Sequence, residues 1–134
     1  MKKKVILTVV FVISLLPMLL PQYGGMKGVS EISGLINLTS LLGVASVVFF
    51  LIGVWGNYEE KSTGRWLGGL GVIGIIISEL YNYFTWHVET ITGEISLQHS
   101  INFAFPEFYF GLAVSLVMAA VYFIMTKCKK QETN

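Results

Sequence analysis

Residues 66–86 read WLGGLGVIGIIISELYNYFTW, an apolar stretch bounded by tryptophans and holding one carboxylate, Glu79. Whether this stretch crosses a membrane decides the fold. Its nine strongly apolar residues favour insertion by roughly 3–5 kcal/mol, and a central carboxylate returns about 3 kcal/mol. The segment is marginal alone and inserts with help from its neighbours. Parity favours a span: without it the last apolar run would travel outward and carry Lys127, Lys129 and Lys130 to the outer side, against the positive-inside rule.

Three further apolar runs flank this one, at about 5–23, 35–56 and 105–126. One crossing takes about 20 apolar residues, so four crossings fit within 134 residues and leave short loops. Composition agrees: 54% of residues are hydrophobic and 13% charged, about half the charge that a soluble domain carries. The expectation is an all-α integral membrane protein, one polytopic domain built as an antiparallel bundle of four transmembrane helices (about 5–23, 35–56, 66–86 and 105–126). The first run follows Lys2, Lys3 and Lys4 and has no alanine near its end. It therefore reads as a retained span, helical as far as Tyr23, with a cleaved signal peptide as the rival reading.

Orientation follows from the basic residues. Eight of the nine, Lys2, Lys3, Lys4, Lys61, Arg65, Lys127, Lys129 and Lys130, fall on one side of this arrangement, and Lys27 alone falls on the other. Both termini and residues 57–64 are thus expected in the cytoplasm, with 22–34 and 87–104 outside, in a multi-pass protein of the cell membrane. The Lys-rich, Arg-poor usage is bacterial in character.

Lipid is as apolar as leucine, so membrane helices associate through close approach of small residues and through polar pairs. Gly64, Gly68, Gly71, Ser78 and Asn82 share one face of the third run; Gly111, Ser115 and Ala119 form a ladder on the fourth; Thr39, Gly43 and Ser46, followed by Gly53, do so on the second. In the outer loop, β-branched residues alternate on both sides of Thr92-Gly93 and predict a small hairpin over the outer end.

Candidate chemistry is sparse. Glu79 is an intramembrane ionisable residue, with Asn82 at i+3 and Tyr83 at i+4 on the same side as candidate hydrogen-bond partners. Glu107, after Pro106, is either a second carboxylate of a cation site or an ordinary helix start. The binding candidates are therefore Glu79, Asn82, Tyr83 and Glu107. His87, His99, Glu89 and Glu94 share the outer loop but match no metal spacing, and no metal or cofactor is expected. The lone Cys128 is read as a reduced cytoplasmic thiol. A formal charge of +1 gives no field for nucleic acid, and no phosphate loop, His-Glu-x-x-His or Ser-His-acid grouping occurs.

The expected role is therefore non-enzymatic. An accessory, immunity-type or regulatory membrane protein would act through helix packing and its outer loop on another membrane protein or an extracellular peptide, whereas a homo-oligomer alone would point to the alternative. The alternative is an oligomeric small transporter or channel that uses Glu79.

Overall fold

In the first apolar run the helix stops where proline dictates. A computed structural model describes residues 2–24, 32–56, 62–85, 98, 101 and 104–127. Helix α1 spans Lys2–Leu15 and tightens into a 3-10 turn at Leu16–Leu19 that contains Pro17. Proline has no N–H and its ring clashes with the carbonyl four residues back, so the α-helical ladder ends there. Pro21 then holds Leu20 extended, with ψ of 152°. The expected continuation of the helix to Tyr23 is thus corrected: Pro21–Tyr23 is strand β1, paired antiparallel with β2 at Ile32–Ser33. Tyr23 also bridges Ala104, and Phe105 N–H donates to Gln22 O at 2.9 Å, so the start of the last helix is tied to the same ladder. The structure therefore places a strand pair between the first and second apolar runs. The hairpin expected around Thr92-Gly93 lies outside the described residues, as do His87, Glu89, Glu94 and His99.

The second run also breaks, into α2 (Leu35–Thr39) and α3 (Leu41–Trp55). Ser40 is extended at ψ 161°, and its Oγ accepts from Gly43 N–H at 3.2 Å, an N-cap inside what reads as one apolar helix. A single helix over 35–56 is corrected to two pieces for this reason. Helix α4 runs Ser62–Thr85, beginning four residues before the expected span, and α5 runs Pro106–Lys127. Pro106 and Glu107 open α5 as an ordinary helix start, the acid in the first turn.

The chain is mostly helical, and two helices are long and apolar enough to cross a membrane: Gly64–Thr85 and Pro106–Thr126. Only 28% of the apolar window of α5 is buried, which is not how a soluble core helix is placed.

Helices α3 and α4 run antiparallel. A methyl on Gly74 would meet Ser46 Oγ, one on Gly71 would lie 2.6 Å from Ser46 O and Phe50 N, and one on Gly53 would meet Gly68 N. As numbers rise on one helix they fall on the other. The small-residue face expected on the third run is therefore the α3 contact, with Gly64 and Gly68 against Gly53. Gly68 and Gly69 also accept the rings of Tyr122 and Phe123 from α5. Gly43 is placed differently. It abuts the carbonyls of Asn37 and Leu38 in its own broken segment, and Thr39 is exposed.

Helix α1 lies against both α3 and α5. Phe11 stacks on Phe50 at 3.9 Å between ring centroids, Phe50 meets Tyr122, and Leu7, Val54, Val72, Ile75 and Met118 complete this core, with Ala119 packed beside it. These rings fill the end of the protein near the N-terminus of α1. A polar core occupies the other end.

Candidate functional site

The polar core starts from the Ser40 break. Ending α2 there turns Asn37, fully buried, toward α4 and the first strand. Asn37 Nδ2 donates to Gln22 Oε1 at 3.0 Å, and its Oδ1 accepts from the Tyr23 hydroxyl at 3.0 Å. Gln22 Nε2 donates in turn to Pro17 O at 3.1 Å, a carbonyl of the 3-10 turn that also accepts from Leu20 N–H. Ser78 Oγ donates to Asn37 O and sits 3.2 Å from Ser40 Oγ. One asparagine thus joins the first strand, the helix break and α4.

Glu79 sits beneath this node, 2% exposed. Its Oε1 accepts from Ser115 Oγ of α5 at 2.6 Å, and its backbone carbonyl lies 3.5 Å from the Tyr23 hydroxyl. Its Oε2 is buried with no hydrogen-bond partner among the described residues, so one acceptor position is open.

The expected partners of Glu79 are corrected. Asn82 Nδ2 donates to Ser78 O at 3.1 Å, and Tyr83 OH pairs with Tyr109 OH at 2.9 Å. Tyr83 stacks on Phe108, at 4.8 Å between ring centroids, and that aromatic packing turns its hydroxyl to α5. Glu107 is half-buried and eight residues before Ser115, roughly 12 Å along the helix axis. The two carboxylates stand at different levels and form no common site. Gly111 packs on Gln22 and Pro17, and Ser115 changes role from ladder member to the hydroxyl that holds Glu79.

Gln22, Tyr23 and Asn37 were not legible as site residues. Asn37 reads as the opening of a span and Tyr23 as an interface ring. The available signal was an amide inside an apolar run: a buried amide needs partners, and Gln22-Tyr23 supplies an acceptor and a hydroxyl. An apolar crevice lined by Leu15, Leu38, Thr39, Val44, Val47 and Val48 opens beside the Ser40 break, and its mainly aliphatic walls hold no reactive group. Compared with known proteins, the chain matches no family model, no curated protein and no solved structure.

Proposed function

We propose that the chain is a multi-pass membrane protein whose four apolar segments cross as an antiparallel bundle, with both termini in the cytoplasm. It acts by contact, as a non-enzymatic accessory, immunity-type or regulatory subunit. The observation that carries this reading is the inverted polarity of the protein. Val9, Val12 and Ile13 on α1, Val44, Val48 and Ile52 on α3, Leu70, Ile73 and Ile77 on α4, and Leu116, Val117 and Ile124 on α5 all face outward, while Asn37, Ser46, Ser78, Glu79, Asn82 and Ser115 are buried. In water such faces would aggregate; in lipid they are the ordinary surface, and the polar groups belong inside. Contact is favoured over conduction because the polar core meets the Phe11, Phe50 and Tyr122 rings at its inner end.

Extraction of the tagged protein in mild detergent tests the reading. A stoichiometric second membrane protein is expected; a homo-oligomer alone counts against it. Orientation is checked in a Cys128→Ser background carrying Glu59→Cys, within the stretch 57–64 expected in the cytoplasm, whose thiol should react with an impermeant reagent only from the cytoplasmic side.

A second reading, an oligomeric carrier or channel, is favoured by the open acceptor position of Glu79 Oε2. Glu79→Gln separates the two. The amide keeps an oxygen for Ser115 and the volume of the site, so expression and oligomer size should stay unchanged. Under the contact reading the complex also survives; loss of a pH-dependent flux in this variant would install the carrier reading.

A further inference from the structure

At the opposite end from the polar core, Arg65 is held in an arrangement that packing alone does not require. Its Nε donates to Thr126 Oγ1 at 3.0 Å, Thr126 Oγ1 donates to Tyr122 O at 2.8 Å, and the Tyr122 hydroxyl donates back to Arg65 O. This closed circuit ties α4 to α5. The guanidinium also lies 5.4 Å from the Trp66 ring centroid and 5.6 Å from that of Phe123. A guanidinium is a rigid fork, so pinning its Nε and packing it against two rings fixes where the terminal N–H groups point. Those terminal groups have no hydrogen-bond or ion-pair partner among the described residues.

We propose that this fork binds the phosphate of an anionic phospholipid in the cytoplasmic leaflet. The assignment rests on the orientation proposed above, which sets Arg65 at the inner end of α4 beside the exposed ring of Trp66. At that depth the oxyanion available to a fixed guanidinium is a lipid phosphate, and a fork matches two phosphate oxygens in a way that a lysine does not. Selectivity for a net negative headgroup follows from the surroundings. Lys3 and Lys4 lie on the turn before Thr8, whose Oγ1 accepts from Trp55 Nε1 at 2.9 Å, so the first turn of α1 brings its cations to the same end of the protein. A headgroup that carries its own ammonium meets those charges unfavourably. Thr126 is 5% exposed and serves to position the arginine.

The test is native mass spectrometry of the full chain, released from micelles doped equally with phosphatidylglycerol and phosphatidylcholine. One phosphatidylglycerol should be retained with about tenfold preference, and Arg65→Gln and Arg65→Lys should each lower its retention about tenfold, the worth of one lost bidentate contact. Thr126→Val should weaken retention while leaving the charge in place, and Lys3→Gln with Lys4→Gln should bring the two lipids toward equal retention, because those cations set the headgroup preference. Equal retention of the two lipids by the unaltered protein overturns the site, whatever the variants do. So does full retention in Arg65→Lys, or displacement of the lipid by excess inorganic phosphate, which would make the ligand a free oxyanion. Cysteine labelling separates the two proposals: reaction at position 59 from outside overturns the orientation while an intact lipid preference moves the site to the other leaflet. Lost preference with the orientation intact overturns the site alone.

Discussion

Gly53→Leu should abolish recovery of folded protein. The first atom of the new side chain would fall on the Gly68 backbone nitrogen, 2.6 Å from Gly64 O and 2.7 Å from Gly68 Cα. Backbone cannot rotate aside as a side chain can, so α3 and α4 would have to part along the whole stretch that also seats Gly71 and Gly74. That separation also opens the pocket around Phe50 and Val54, both fully buried. Overpacking a tight core costs about 1–3 kcal/mol and more where nothing yields, against a total stability on the order of 5–15 kcal/mol. The expected result is near-complete loss of monodisperse protein in detergent, or a steep fall in thermal midpoint where some survives. Gly69→Ala is the control. Its neighbour is the far edge of the Phe123 ring, at 2.8 and 2.9 Å, and a ring can tilt, so the cost should stay below about 1 kcal/mol. Equal effects of the two substitutions would refute the α3–α4 register.

The same interface shows what could be read from the chain and what could not. Gly64, Gly68 and Gly71 recur at helical spacing, and a small residue can serve a close approach wherever the partner helix lies; the face was legible without knowing the partner. The start of α5 was legible too, because Pro106 and Glu107 act locally. The Ser40 break was not. A serine between Thr39 and Leu41 scores as a tolerated polar residue in an apolar run, and its capping role emerges only once Ser78, from α4, bonds Asn37 O and meets Ser40 Oγ, making the break worth its lost helical bonds. Glu79 failed for a related reason. Helical spacing ranks Asn82 and Tyr83 as its neighbours, whereas its donor, Ser115, comes from another helix, and a register between helices is set by packing that one strand of sequence does not display. Pro17 can be read locally as a helix breaker, yet the strand that replaces the last helical turn depends on the pairing of Pro21 and Tyr23 with Ser33 and Ile32.

Asn37→Leu should loosen the polar core while leaving the aromatic core closed. The substitution keeps the approximate volume but removes the amide that donates to Gln22 Oε1 and accepts from the Tyr23 hydroxyl, both at 3.0 Å. Gln22 is 2% exposed, so its carbonyl oxygen cannot turn to water for a replacement. Losing the partner of a buried polar group costs about 1–3 kcal/mol, and two such contacts end on this one side chain, so about 2–4 kcal/mol is expected. The loss is local because Asn37 touches the strand pair and α4 rather than the Phe11, Phe50 and Tyr122 rings. Hydrogen exchange in detergent should therefore quicken over residues 21–23 and 32–40 and at Phe105, whose N–H is bonded to Gln22 O, with little change over 46–54 and 118–126. Asn37→Asp supplies a second outcome, since a carboxylate can still accept from Tyr23 but cannot donate to Gln22. It should disturb the β1 contact with α5 more than the Tyr23 side chain. Uniform acceleration across all helices in either variant would mean that the polar core and the aromatic core unfold as one unit, which would overturn their division into two separately opening ends.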